Sequence, residues 1–499
     1  MDEAPVILPR GGPEANALDR DATRSSTQGA PPLVVDLDGS VVRTDLLVET
    51  AALLLKHHPL QALHMPLWLL GGRAHLKAEV ARRVVPDVAQ LPYRRAVLEY
   101  LQAERESGRR LVLATAADER LARLVADRLG LFDAVMASDG RTNLSGEHKR
   151  ERLVAELGEG GFDYVGNSAR DLPVWRSARR AVLVGASARL HREAARLASV
   201  DRVLDDGDGG PMPYLRALRL HHWLKNLLVF TPLVAAQRLD DAALVAQAAL
   251  GFLAFGLCAS SVYLLNDLMD LESDRHHPRK RDRALAAGRV SLPAVLGLIP
   301  ALLATAFALS LALPAGFAAT LGGYLALNVA YSLHLKSVAI LDVLVLAGLY
   351  TVRIIAGSAA VDLWPSDWLL AFSMFLFLSL ALVKRYAELM AMRAVEGARA
   401  RARGYQLDDA ELLASLGGGA GYLAVLVLAL YIENAPGRAL YRHPQLLWVL
   451  CVLLLYWISH LWLMAHRRRM HDDPLVFAVR DPVSQALLAL IAAVLLAAI

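Results

Sequence analysis

Asn266-Asp267-Leu268-Met269-Asp270-Leu271-Glu272-Ser273-Asp274 follows a long apolar run and precedes a strongly basic loop. Asp267, Asp270 and Asp274 stand at i, i+3 and i+7, so on a helix all three carboxylates share one face, with Asn266 in phase. Charge at the mouth of a membrane helix is costly and usually functional. Hard oxygen ligands suit magnesium, which commonly binds together with phosphates. The stretch therefore implies a magnesium–diphosphate site at a membrane surface. The basic run Arg275-His276-His277-Pro278-Arg279-Lys280-Arg281, with Arg283 beyond it, adds the guanidiniums that phosphate recognition uses. The break at Pro278 is expected to fold this loop back over the acidic helix end.

Outward from that stretch, the 499 residues divide by composition. Hydrophobic residues make up 55% of the chain, but residues 222–499 hold nearly all the runs of spanning length. Residues 1–215 are ordinary soluble sequence, rich in charge. The only cysteines, Cys258 and Cys451, lie inside apolar runs, so no disulfide framework is expected. No cleavable signal peptide is expected either, because the first apolar stretch near Leu33 runs straight into acidic residues.

Nine transmembrane helices are expected, at about 223–237, 242–266, 291–312, 315–333, 338–359, 366–388, 417–433, 444–464 and 482–499. Basic residues crowd the loops after the second, fourth, sixth and eighth spans, whereas Arg238, Arg438 and Arg442 stand alone on the other side. The positive-inside bias then puts the even loops and the soluble half in the cytoplasm and the C-terminus outside, for a multi-pass protein of the inner (cytoplasmic) membrane. Asp342 and Arg353 are close to three turns apart and share a helix face, as expected of charges lining a cavity or forming an internal pair. Tyr331 and Lys336 flank the fourth loop, and Lys384 and Arg385 close the sixth span. Tyr214 to Lys225 alternates basic with apolar residues and suits a helix lying on anionic lipid.

In the soluble half, residues 1–31 read as a disordered tail. Short buried strands are expected at Leu33–Val35, 110–115, 162–167 and 181–185, alternating with helices. That pattern gives an α/β domain with a parallel sheet over about 32–204, followed by a Gly/Asp-rich linker at 205–213. Polar residues stand at the strand ends, where such sheets place their sites: Asp36-Leu37-Asp38-Gly39-Ser40, Thr115, and Gly166-Asn167-Ser168-Ala169-Arg170-Asp171.

These residues, with Lys149, resemble the four ordered motifs of the haloacid dehalogenase-like (HAD) phosphohydrolases, and residues 46–106 resemble that family's helical cap. The resemblance implies a Rossmann-like domain whose magnesium is held by Asp36, Asp38 and Asp171. Asp36 would attack phosphorus, and Asp38 would protonate the leaving alcohol and then activate water. Thr115 and Lys149 would hold the remaining phosphate oxygens. Asn167 stands where many relatives carry a second metal-binding aspartate, which removes a charge from the site.

Residues 214–499 resemble the UbiA superfamily of intramembrane prenyltransferases, with NDxxDxxxD complete as Asn266, Asp267, Asp270 and Asp274. A second acidic motif, present in the aromatic prenyltransferases, is missing; Tyr331-Ser332-Leu333-His334-Leu335-Lys336 and a lone Asp342 stand in its place. Leu220 through Pro232, with Lys225 and Asn226, is similar to the decaprenyl-phosphate phosphoribosyltransferase branch of arabinan (cell-wall) precursor synthesis. That likeness implies transfer of phosphoribose from phosphoribosyl diphosphate to a polyprenyl phosphate, with Mg2+ as cofactor. Asp267 and Asp270 would be central. Lys225, Asn226, Arg275, Lys280, Arg281, Arg283, Tyr331, Lys336, Asp342, Arg353, Lys384 and Arg385 would meet the anionic substrates.

The leading expectation is a membrane phosphoribosyltransferase whose fused phosphatase removes the product's 5-phosphate. The competing one is an aromatic or quinone prenyltransferase with a regulatory or inactive soluble module. A transporter fits poorly, because the acid cluster is ill suited to passing anions. No nucleic-acid partner is expected, and self-association into a homo-oligomer is left open.

Overall fold

The computed structural model describes residues 30–207, 210–278, 280–393, 404–434, 441–470 and 473–499. The expected tail up to residue 29, part of the linker (Asp208 and Gly209) and Arg279 lie outside the described residues.

The soluble half is a six-stranded sheet in the order β3-β2-β1-β4-β5-β6, every pairing parallel. The strands are β1 (Leu33–Val35), β2 (Leu111–Asp118), β3 (Ala134–Ser138), β4 (Asp163–Gly166), β5 (Arg180–Val184) and β6 (Ser199–Leu204). Sequence pattern located β1, β2, β4 and β5. It missed the two edge strands, whose burial is looser and whose apolar runs are short. Side chains alternate across β1: Leu33 and Val35 enter one apolar layer, with Leu113 and Val182, while Val34 enters the other, with Val112, Tyr164 and Trp175. Both faces are covered, which forces the near-continuous apolar strands of a parallel sheet. The insertion between β1 and β2 is helical, including Leu46–His57 and Arg73–Arg83. Asp45 starts the first of these as its N-cap, accepting from the backbone N–H of Leu47 and Val48.

In the other half, six helices are long and apolar enough to cross a membrane: Ala242–Met269, Leu292–Ser310, Leu341–Val361, Asp367–Met392, Leu407–Glu433 and Pro444–His466. Pro474–Arg480 and Pro482–Ala498 make a seventh if the pair, bent by 86°, is one span. The expected nine are not reached among the described residues, for two physical reasons. The 223–237 stretch is not a span: it is a tight 3-10 helix, Leu220–Phe230, followed by one short turn of helix, Thr231–Ala235. Nor does Tyr214–Lys225 form one surface helix, because Arg219 takes a left-handed φ of +52° and breaks it. Ala315–Leu333 is a helix of 19 residues, but it is not among the six, its apolar surface diluted by Gly322, Gly323 and Asn328.

The soluble half sits on the acidic end of Ala242–Met269. Val48 of its first helix packs into an apolar cluster with Leu264, Leu271, Leu285 and Val290. Glu49, on the same helix, forms a buried bidentate pair with Arg275, at 2.6 and 3.0 Å. The two sets of polar motifs therefore lie on the same side of the helical bundle.

Candidate active sites

The first site lies at the C-terminal edge of β1, β2 and β4. Asp36, at the end of β1, accepts from Lys149 Nζ at 2.7 Å. Lys149 comes from the Glu147–Leu157 helix and also donates to the Tyr164 hydroxyl at 2.9 Å. That hydroxyl donates to Asp171 Oδ1 at 2.8 Å. Asp171 Oδ2 accepts from the backbone N–H of Asn167 and Ser168, so the loop after β4 is wound around this carboxylate. Thr115 is fully buried on β2, its hydroxyl accepting from Ala117 N–H at 3.0 Å. Gly39 has φ +79°, and a Cβ there would fall 2.0 Å from Asn167 Nδ2. The loop carrying Asp38 can press against Asn167 only because residue 39 has no side chain.

Electrostatics separates the two motif aspartates. Burial pushes Asp36 up to about 6, with Lys149 opposing and Asp171 adding to the rise. Burial, and then the charge of Asp45, pushes Asp38 up to about 8. Burial acts to lower Lys149, but the carboxylates of Asp36 and Asp171 outweigh it and the ammonium is held. The result is a carboxylate and a carboxylic acid side by side near neutrality, the division of labour that nucleophile and proton donor require. Lys77, on the Arg73–Arg83 helix of the insertion, feels Asp38 and Asp45 and donates to Ala116 O at 2.5 Å and Asn143 Oδ1 at 2.9 Å. Sequence reasoning missed Lys77 and Tyr164; neither lies within a motif.

The second site is the acid signature. The helix carrying it ends at Met269, Asp270 forms the break, and Leu271–His276 resumes as a short helix. Arg283, returning from the basic loop, bridges Asp274 at 2.6 Å and Asp267 at 3.3 Å. Asp267 also pairs with Arg219. Lys336, from the loop across the bundle, reaches Asp270 at 3.1 Å. Asn266 accepts from the Ser332 hydroxyl. A cavity of about 380 Å3 opens here, its charged lining being Arg216, Arg219, Arg283 and Arg289 with Asp267 and Asp282. Among the described residues no three acidic, histidine or cysteine side chains converge on one point. The donors themselves, carboxylates and an amide, are the hard oxygen set that suits magnesium.

Deeper in the bundle lies a polar knot. Lys225 donates to Asp473 at 2.6 Å, and Lys384 is 3.5 Å from the same carboxylate. Arg353 donates to Asn226 Oδ1 at 3.0 Å and the Tyr324 hydroxyl at 3.2 Å, and stacks over Phe255, Tyr324 and Tyr350.

The UbiA prenyltransferase family matches residues 227–490, more than half of the chain. The chain belongs to the UbiA prenyltransferase family. A second match, to the haloacid dehalogenase-like hydrolases, covers residues 33–176 and makes the protein a HAD–UbiA fusion. Uncharacterized protein y4nM of Sinorhizobium fredii is 39% identical over 466 residues, covering 92% of this chain and 90% of that protein. Nodulation protein NoeC of Azorhizobium caulinodans is 38% identical over 276 residues, 54% of this chain and 88% of NoeC. Decaprenyl-phosphate phosphoribosyltransferase of Mycolicibacterium smegmatis is 38% identical over 179 residues, 35% of this chain and 56% of that enzyme.

Within the UbiA half, several residues expected at the substrate are committed elsewhere. Asp342 and Arg353 do not meet each other. Asp342 is fully buried and held by Arg385 at 2.5 Å and the Tyr405 hydroxyl at 2.6 Å. Arg385 also donates to the Tyr331 hydroxyl at 3.0 Å, so Asp342, Arg385 and Tyr331 form one internal network. Arg275 is taken by Glu49 of the HAD half rather than facing the acid cavity. Arg281 lines a different cavity, between the two halves. Lys280 lies in the turn after His277, its N–H donating to His277 O at 3.1 Å. Sequence reading placed Asp473, within His471 to Pro474, at the rim without its partners Lys225 and Lys384, and missed Glu49 and the pairing of Arg219 with Asp267. An isolated acid in a helix or loop gives no local sign of a partner more than two hundred residues away.

Proposed function

We propose that this HAD–UbiA fusion transfers 5-phosphoribose from phosphoribosyl diphosphate to a polyprenyl phosphate, and that its HAD half then removes the 5-phosphate. The observation carrying the reading is the surplus of cations around the acid signature. Arg219, Arg283 and Lys336 sit on its carboxylates, and Arg216 and Arg289 line the same cavity. Such a site suits two anionic substrates better than one. Lys336, on Asp270, stands in the loop where the aromatic branch would bring further acid. The similarity to decaprenyl-phosphate phosphoribosyltransferase over part of the chain supports the same donor.

Asn266, Asp267, Asp270 and Asp274 would hold magnesium, which supplies charge neutralisation to a diphosphate leaving group. Arg219 and Arg283 would turn from these carboxylates to the donor's phosphate oxygens. An oxygen of the lipid phosphate forms the bond to the anomeric carbon as the bond to diphosphate breaks. Phosphate oxygen needs no strong base, and the cavity's guanidiniums stabilise the charge leaving.

In the HAD half, Asp36, Asp38 and Asp171 would hold a second magnesium. Asp36 attacks phosphorus, the ester bond to the sugar breaks, and Asp38 gives its proton to the sugar oxygen. Asp38 then takes a proton from water, which hydrolyses the aspartyl phosphate and releases inorganic phosphate. Lys149, bonded to Asp36, holds the nucleophile and meets the phosphate charge. The basic-loop side is taken as cytoplasmic.

The test compares donors with the purified full chain. Diphosphate release from phosphoribosyl diphosphate should require polyprenyl phosphate and fall on the order of a hundredfold in Asp267→Asn. Release from a prenyl diphosphate with an aromatic acceptor, and none from phosphoribosyl diphosphate, would move the protein to the aromatic branch.

A further inference from the structure

We propose that the cavity between the two halves is a third anion site, which receives a phosphate monoester on its way from the transferase cavity to the HAD site. The inference rests on the reading above. The cavity holds about 270 Å3 and takes its walls from both halves: Arg43 and the 89–93 segment from one, and Arg275, Arg281, Asp282 and Arg289 from the other. Four guanidiniums thus face one wall carboxylate. Glu49 and Asp206, behind the wall, pair with Arg275 and Arg43 and fix their directions. Arginines held in place this way keep their charge beside the cavity, where a phosphate meets it at little further ordering cost.

The location links the two sites. Asp282 and Arg289 line this cavity and the transferase cavity alike, so the two spaces share a wall. On the other side, Arg43 lies in the loop that leaves Asp38 and returns to it: Leu46 N–H donates to Asp38 Oδ1 at 3.0 Å, and Arg94, which shares Asp206 with Arg43, donates to Gly39 O at 3.0 Å. The contact is close. Gly288 of the basic loop has φ +65°, and a Cβ there would lie 2.8 Å from Arg43 Cβ and 3.0 Å from Pro92 Cγ. The Glu49–Arg275 pair is buried beside it, and Asp87 meets His276 at 2.9 Å. The HAD loop bearing the proton donor and the UbiA loop bearing the phosphate-binding arginines are therefore packed against one another, with a positively lined space between them.

The experiment uses the full chain and the variants Arg43→Gln, Arg281→Gln and the pair. Each is given phosphoribosyl diphosphate and polyprenyl phosphate, and the phosphorylated and dephosphorylated lipid products are separated by mass spectrometry. The double variant should raise the phosphorylated share at least roughly tenfold, the effect of losing one charge-assisted hydrogen bond of the two it removes. Diphosphate release and hydrolysis of soluble p-nitrophenyl phosphate should stay at wild-type rates. An unchanged product ratio overturns the inference; so does a parallel fall in p-nitrophenyl phosphate hydrolysis, which would place the damage in the HAD site. A binding arm separates this from failure of the functional reading: ribose 5-phosphate affinity in Asp36→Asn should fall roughly tenfold when Arg43 and Arg281 are also changed. If no lipid product forms but that fall is seen, the donor assignment fails and the anion site stands; without the fall, the anion site is overturned.

Discussion

The two candidate sites are built in opposite ways. In the HAD half, Asp36, Asp38, Thr115 and Asp171 sit on a strand or in the turn after it, Lys149 reaches them from the Glu147–Leu157 helix, and the strands are locked in parallel register by two apolar layers. Asp36, Lys149, Tyr164 and Asp171 form one continuous chain of contacts. In the UbiA half, the acid signature lies across a helix break, and each of its carboxylates is held by a cation from a different segment. The first site is preorganised by the sheet. The second is held by ion pairs that would have to rearrange for the proposed metal and diphosphate to bind.

The largest expected effect tests the preorganised site. Asp36→Asn should lower monoester hydrolysis by on the order of a thousandfold or more, because the attacking oxygen is lost outright. Diphosphate release should be unaffected; a parallel loss would mean that the two sites are not separate. Asp267→Asn strikes the other side and should cost the transferase on the order of a hundredfold, since the proposed task of holding magnesium is shared with Asp270 and Asp274. An effect as large as that of Asp36→Asn would give the membrane site a single dominant ligand.

Arg385→Leu probes structure rather than chemistry. It leaves Asp342 without its counter-charge, held only by the Tyr405 hydroxyl, and should destabilise the membrane half by about 3–5 kcal/mol, read as a fall in unfolding temperature in detergent. Changing Asp342 to Leu as well should recover much of the loss. If Arg385→Leu instead abolishes transfer with no loss of stability, the network belongs to the substrate site.

The smallest effect is one of pH. Asp36 and Asp38 are pushed up to about 6 and about 8. The folded HAD half therefore binds more protons than the unfolded chain above the ordinary carboxylate range. Its stability is fully present at low pH and is lost as pH rises through 6 to 8. In chelator the HAD unfolding transition should fall by a few degrees between pH 5.5 and 8.5, and magnesium, which favours the ionised carboxylates, should reduce that fall. A magnesium-insensitive transition would mean that these aspartates do not hold the ion.

The same contrast decides how much could be read from sequence. Asp36, Thr115 and Asp171 were legible because a buried strand announces its own end, and a parallel sheet gathers such ends; Lys149, on a helix, was legible only through the resemblance to the HAD motifs. The acid signature was legible for a similar reason, since three carboxylates at helical spacing must share a face. The partners of Asp342 and Arg353 were not. Helical phase puts the two on one face, but it says nothing of Arg385 or Asn226, which arrive from other segments. The span count failed where local chemistry misleads: 223–237 is apolar enough for a membrane yet folds as a 3-10 helix, and Ala315–Leu333 has spanning length but a mixed surface. Arg275, next to the signature, looked like a phosphate ligand; its pairing with Glu49 depends on how the halves dock.

The most direct test is mass spectrometry of the lipid made by the Asp36→Asn protein from isotopically labelled phosphoribosyl diphosphate and polyprenyl phosphate. The account predicts a lipid carrying the labelled ribose together with both phosphates, its own and the 5-phosphate, while the unaltered protein yields the same lipid lacking the 5-phosphate. A polyprenyl phosphate of unchanged mass in both reactions would contradict the transfer. Complete loss of the 5-phosphate in the Asp36→Asn reaction would contradict the role given to the HAD half.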